Sequence, residues 1–340
     1  DLSLTPTTDT LAILSWKQVA ELDVQLGGRI IIRHDPRVLA SAEWNASNRI
    51  VDSVSGSSTQ KQVPLLAGTY FVKAEDFLGV RSENETAFEV SLPQPEARFT
   101  AKTYAEHSLS TPFNGTKTNC SVVSNNLNLV PDPYVALGYA DNLYFIGDGG
   151  AEYQFQDTFD FGDTFDFIIR RSIVSSPTET TGILFDARSG LFDDSTGLFD
   201  GTVSDVINVV TYVRTATVAS PSESDYTPWT EFVAGVVQGR HVQLKAELET
   251  TDPLTNVSVD QLGATLELSR RTETGTGTSG NAVTFDNPFY QTPEVIITPT
   301  NLGADGFVTL TKSTTGFTAT LSGASNTGFS YTATGFGRAL

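Results

Sequence analysis

Four groups of residues in this 340-residue chain carry side chains able to catalyse or to bind. The first is its whole complement of imidazole and thiol: His34, His107, His241 and Cys120. These lie far apart in sequence, and no Gly-x-Ser-x-Gly turn is present to offer a nucleophile, so hydrolase-type nucleophilic catalysis has no visible seat. Zinc needs several His or Cys ligands at close spacing, which this set does not supply. His241, on a strand, reads as structural or surface, and Cys120 as a buried, inert thiol.

Carboxylates are the second and third groups. Asp157-Thr158-Phe159-Asp160-Phe161 is repeated after Gly162 as Asp163-Thr164-Phe165-Asp166-Phe167. Paired acids of this kind can serve glycoside hydrolysis. Strict alternation of Asp with Phe is better explained by half-buried strands joined near Gly162, Phe inward and Asp outward. Leu184-Phe185-Asp186, Leu191-Phe192-Asp193 and Leu198-Phe199-Asp200 recur at a spacing of seven, each with a glycine following at 190, 197 or 201. Calcium takes carboxylate and carbonyl oxygens, so Asp186, Asp193, Asp194 and Asp200 form a candidate calcium site. The competing reading is of solvated aspartates that suit turns and block stray edge pairing. No Gly-rich phosphate cradle follows a strand and opens a helix, so no other cofactor is indicated.

The fourth group is aromatic. The C-terminal segment holds Phe285, Phe289, Tyr290, Phe307, Phe317, Phe329, Tyr331 and Phe336. Some must form a core. Phe289, Tyr290, Phe307, Phe317, Phe329 and Tyr331 are the candidate receptor-binding residues, because aromatic faces stack on sugar C–H surfaces and add rigid contact area.

The elements that position these groups read as strands throughout. In Gly68–Ser82, Tyr70, Val72 and Ala74 alternate with Phe71, Lys73 and Glu75 before a Leu78-Gly79-Val80 turn, which is the last hairpin of a fibronectin type III-like sandwich. Leu11–Trp16 and Ile30–Ile32 supply earlier strands of that module. The expected organisation is all-β: a fibronectin type III-like spacer over 1–93, a linker over 94–112, a jelly-roll-like β-sandwich over 113–271, a Gly- and Thr-rich flexible linker over 272–281, and a small C-terminal β module over 282–340. Within the middle sandwich, Val206–Val213 and Arg240–Leu248 read as strands, and the second alternates cleanly between apolar and polar faces.

Composition narrows the partners. Forty acidic residues against 21 basic give a net charge of −19, which opposes the phosphate contacts that dominate nucleic-acid binding. No apolar run reaches the length of a membrane span. A single cysteine excludes an internal disulfide framework. A chain that starts at Asp1 and contains no Met is expected to be a processed product or a fragment of a longer protein.

The strand Gly28–His34, the approach Leu65–Tyr70 and Lys73-Ala74-Glu75-Asp76 before Gly79 and Ser82 resemble the fibronectin-like modules of central tail-fibre, or host-specificity, proteins of tailed bacteriophages. So do Trp229–Val233, Gly239–Leu248, and the ending from Val283-Thr284-Phe285 through Pro293–Ile297 to Tyr331–Gly337. The resemblance implies a non-enzymatic, homotrimeric attachment protein at the virion tail tip, held by other tail or baseplate proteins. Its spacer would carry a sandwich platform and an exposed tip that meets a bacterial surface glycan or outer-membrane protein. The alternative is an accessory carbohydrate-binding and spacer region of a secreted glycan-active enzyme or bacterial adhesin.

Overall fold

A computed structural model describes residues 2–51, 53–92, 98–109, 113–130, 150–179, 206–251, 255–300, 308–322 and 328–337. The architecture is all-β, as expected, with several antiparallel sheets. Among the described residues no helix is long and apolar enough to cross a membrane.

The N-terminal module runs β1 (Leu2–Pro6), β2 (Leu11–Trp16), helix α1 (Leu22–Gly27), β3 (Arg29–Asp35), β4 (Asn48–Arg49), β5 (Val54–Ser55), β6 (Gln60–Pro64), β7 (Gly68–Glu75) and β8 (Thr86–Val90). One sheet is β1-β2-β6. The other is β3 between β7 and the short β4 and β5, with β8 outside β7. Ala12, Leu14 and Trp16 point into the core with Ile30, Ile32, Val63, Leu66, Tyr70 and Val72, as period-two patterning requires. Tyr70 also fastens the turn before its own strand: its hydroxyl donates to Pro64 O at 2.6 Å and accepts from Leu66 N at 2.8 Å. This is the corner expected where a sandwich strand re-enters its sheet.

The outer face of β7 departs from the expected solvent face at one place. Phe71 and Ile31 are buried beneath Trp44, whose ring also sits 5.1 Å from both the Arg33 guanidinium and the Lys73 ammonium. The 3-10 turn Trp44–Ala46 lays that indole over the sheet, so a local loop makes a second small core that strand alternation alone does not forecast.

The middle module runs β9 (Arg98–His107), β10 (Thr116–Thr118), β11 (Cys120–Val123), β12 (Asn126–Leu129), β13 (Ala151–Gln154), β14 (Phe159–Glu179), β15 (Ile207–Ala216), β16 (Thr230–Glu231), β17 (Ala234–Thr250) and β18 (Thr255–Thr278). Hydrogen-bonded neighbours follow β10-β13-β17-β14-β18-β12-β11. Only Asn119, at φ 54°, separates β10 from β11, which stand at the two ends of that path, and these strands share one core that includes Phe165, Phe167, Leu244, Leu262 and Leu266. The two Asp-Phe copies lie on a single strand. Both pair with β17, and the register slips between Asp160 and Phe165 where Gly162 takes φ 83°. Phe161, Phe165 and Phe167 are buried and Asp160 and Asp163 exposed, so the facing is as expected while the join is a bulge.

The C-terminal module adds β19 (Ala282–Thr284), β20 (Glu294–Pro299), β21 (Val308–Lys312), β22 (Gly316–Leu321) and β23 (Gly328–Phe336). The sheet β19-β22-β21 shares a core with a second layer in which β23 lies between β20 and β18.

Both expected linkers are corrected. Residues 98–107 of the 94–112 segment are β9, paired with β18 from Gln261 to Ser269. Residues 272–278 of the 272–281 segment are the last part of β18, paired with β23. The cause is visible in the register. Gly275 lies opposite Tyr331 and Gly277 opposite Phe329, and those rings lie over the glycines so closely that an added Cβ at Gly277 would fall 2.4 Å from Phe329 Cζ. Threonines favour the strand and the rings replace the missing side chains.

The N-terminal module is docked against the middle one. Arg170 on β14 donates to Leu65 O at 3.2 Å and also bonds Asp9 O and the Glu267 carboxylate. Arg171 donates to Arg49 O at 2.7 Å, and Asn48 spans Ile173 O and Ser175 Oγ. Val233 and Ala234 pack on the N-terminal core.

Two measurements check this account. Gly277→Val is expected to destabilise the C-terminal module by about 1–3 kcal/mol in urea unfolding, because the branched side chain collides with Phe329; a flexible linker would accept it silently. The second concerns His34, which is buried, packed edge-on to Tyr70 and bonded through Nε2 to Ala67 O at 2.9 Å. Burial lowers its pKa to about 4. Between pH 6.5 and 4 the unfolded chain takes up a proton that the folded chain does not, so stability is full above pH 6.5 and falls on acidification, by on the order of 3 kcal/mol in total. His34→Gln is expected to flatten that part of the stability curve relative to the parent chain.

Candidate functional site

The structure removes most of the expected receptor-binding rings from the surface. Phe289, Phe317, Phe329 and Tyr331 form the core of the C-terminal module, at 1%, 4%, 2% and 8% exposure. Their rings meet edge to face or tilted, with Phe317 and Tyr331 at 4.9 Å. A module this small needs nearly all its aromatic volume to fill two short sheets, which leaves those rings unable to reach a receptor. Tyr290 is half-buried at the junction with the middle module, against Phe99, Phe161 and Phe165. Phe307 and the candidate calcium ligands Asp186, Asp193, Asp194 and Asp200 lie outside the described residues.

The remaining chemically able groups are engaged in structure. Ser108, His107 and Asp260 are neighbours, yet the serine hydroxyl donates to the Asp260 carboxylate, and His107 Nε2 lies 3.4 Å from the same acid. A nucleophile bonded to the acid instead of the imidazole lacks the order a triad needs. His241 ties Ala219 O at 3.1 Å. Burial pushes the Cys120 thiol up to about 11 and holds it protonated. Asp157, Asp160 and Asp166 are bonded to Lys102, Arg240 and Gln238 respectively. Among the described residues no group of three His, Cys, Asp or Glu is placed to hold a metal ion.

Two surface features of the described residues bring cations together with a cleft or with rings. One is a cleft of about 340 Å³ between the N-terminal and middle modules, lined by Leu66, Arg98, Arg170, Arg171, Thr265 and Glu267. Its cations are largely spent on the junction: Arg98 bonds Asp9 at 2.5 Å and Arg170 bonds Glu267.

The other is a ladder of rings and cations on the outer face of β15 and β17. Val209, Val213, Val242, Leu244 and Ala246 point into the core, so strand alternation turns Tyr212, Arg214, Gln243, Lys245 and Glu247 outward. Register sets Tyr212 opposite Lys245 and Arg214 opposite Gln243. The chain from 217 to 229 then folds back over this face. Thr227 and Thr215 exchange two hydrogen bonds, at 2.8 and 3.0 Å, and Ser222 caps the 3-10 turn Glu223–Asp225.

That return places two more rings. The Arg214 guanidinium lies 4.8 Å from the Tyr226 ring centre and 4.5 Å from that of Trp229. The Lys245 ammonium lies 5.1 Å from Tyr212 and 5.4 Å from Trp229. Each cation is also fixed by oxygen: Arg214 by Glu223 and by Gln243 at 2.8 Å, Lys245 by Glu152 at 2.6 Å and Glu247 at 2.7 Å. Desolvation works against the Lys245 charge, but the two carboxylate bonds outweigh it and hold its pKa above the usual value. Burial, then the Glu247 hydrogen bond, pushes the Tyr212 phenol up to about 12.

Tyr212, Tyr226 and Trp229 are half-buried and expose part of each ring, whereas Trp16 and Trp44 are 9% and 8% exposed. Sequence reasoning passed over this site. The outward register of Tyr212 and Lys245 is readable from alternation in the two strands, but the return of Tyr226 and Trp229 depends on a loop whose course no periodicity encodes. No family model matches the chain, and no curated protein matches it.

Proposed function

We propose that this chain is a non-enzymatic, receptor-binding strut of a tailed-phage tail tip or central fibre, acting outside the cell as a homotrimer beside other tail or baseplate proteins. The observation that carries this reading is the pair of tight module junctions. β18 passes without interruption from the middle sandwich into the C-terminal module, and Arg170, Arg171 and Asn48 lock the N-terminal module to β14. Three β modules joined in this way transmit force and hold a recognition surface at a set orientation, which suits an attachment fibre. The engaged state of the histidines, the cysteine and the Asp-Phe acids fits a binding role better than a catalytic one. The recognition surface moves, in this reading, from the C-terminal aromatic core to the outer face of the middle module.

Fluorescently labelled chain is expected to bind whole cells saturably on some strains of a Gram-negative and Gram-positive panel and not on others. Sedimentation should return three times the chain mass. Absence of binding on every strain, or release of saccharide fragments from purified surface polysaccharide, would overturn the attachment reading; a monomer would remove the trimer.

A further inference from the structure

We infer that the ladder of Tyr226, Arg214, Trp229, Lys245 and Tyr212 is a binding site for a neutral oligosaccharide. The inference rests on the attachment reading for its biological setting, and adds the site and the class of ligand.

Ring geometry supplies the first argument. A pyranose presents a flat array of C–H bonds, and a partly exposed aromatic ring on a rigid support is the surface that array packs against. The largest rings of the C-terminal module are enclosed in its core, and the other two tryptophans are buried. Trp229, flanked by Tyr226 and Tyr212, is therefore the one tryptophan of the three that is not buried, and it sits in a cluster of partly exposed rings.

Preorganisation is the second. Arg214 and Lys245 are each held by a cation–π contact on two rings and by carboxylate oxygen, so the platform is fixed before a ligand arrives. Little side-chain freedom is lost on binding, which favours the weak contacts a sugar makes. Polar groups for hydroxyls lie beside the rings. They are the Trp229 indole N–H and the carboxylate of Glu231, which stands opposite Tyr212 on β16 with its side chain exposed.

Charge decides the class. Around the two cations stand Glu152, Glu223, Glu231, Glu247 and Glu249, a clear excess of negative charge on this face within a chain of net −19. Uronic acids, sialic acids and phosphate-bearing polymers would be repelled, whereas neutral hexose and N-acetylhexosamine chains carry no such penalty.

The test uses the full chain. Because Trp16 and Trp44 are buried, acrylamide quenching of tryptophan emission reads mainly Trp229. Neutral hexose and N-acetylhexosamine oligomers of four to six units, titrated in parallel with oligogalacturonate, should protect that emission saturably in at least one neutral series. Calorimetry with the protecting oligomer should show at least tenfold weaker binding for Trp229→Ala and for Tyr212→Ala. Tyr212→Ala removes a half-exposed ring without opening the core, so it decides the question if Trp229→Ala fails to fold. Lack of protection by every neutral oligomer, stronger protection by oligogalacturonate, or unchanged affinity in folded Tyr212→Ala would overturn the assignment. If labelled chain still binds cells while no neutral oligomer protects Trp229, the sugar site fails and the attachment reading stands. If oligomers bind and cells do not, the reverse holds.

Discussion

The continuity of β18 is the constraint on which the rest of the molecule beyond Pro93 depends. Its first part is hydrogen-bonded to β14, β12 and β9, and its last nine residues to β23, so two hydrophobic cores are built on one backbone. Side chains alternate with a period of two, so a slip of one residue would turn Leu262, Ala264, Leu266 and Leu268 out of the middle core and disturb the C-terminal layer with it. A hinge at the boundary would require breaking ladder hydrogen bonds. Tyr290 and Phe336, packed against Phe99, close the same boundary from the other side.

The second junction is electrostatic and works by a different route. Beyond Arg170 the strand β14 loses β17 as a neighbour, and an unpaired edge invites association with other chains. Val233 O, just before β17, still accepts from Arg171 N, and beyond it the N-terminal module covers the edge, with Asn48 reaching the carbonyl of Ile173. Arg170 and Arg171 are nearly withdrawn from water in the process, and desolvation lowers the pKa of both. Such burial is tolerated because backbone carbonyls and Glu267 accept their hydrogen bonds; removing an acceptor would leave a stranded charge, a loss typically of 3–5 kcal/mol. The junction is thus specific to one docking geometry.

Between these two fixed boundaries the two faces of the middle module, among the described residues, differ in character. Its inner face is aliphatic and aromatic, and its outer face on β15 and β17 is rings alternating with paired cations. The same residue type serves two ends. Phenylalanine and tyrosine in the C-terminal module fill volume between short sheets, while Tyr212, Tyr226 and Trp229 lie across a sheet that already has its core.

Much of the fold was legible in the sequence. Local patterning identified β2, β3, β7, β15 and β17 and the outward Asp and inward Phe of β14, because which face a strand residue occupies is set locally by the pleat, whereas β9 and the end of β18 were read as linkers. Composition excluded a disulfide framework. Three things were decided only by tertiary structure. The Gly- and Thr-rich stretch 272–278 became strand because Phe329 and Tyr331, over fifty residues away, cover Gly277 and Gly275. The aromatic-rich C-terminal segment turned inward because two short sheets had little else to bury. The ladder formed because a loop returned Tyr226 and Trp229 to cations on strands that sequence alone leaves unpaired. Alternation along one strand says which side of a sheet a residue takes, but long-range packing decides whether that side meets water, another layer or a returning loop.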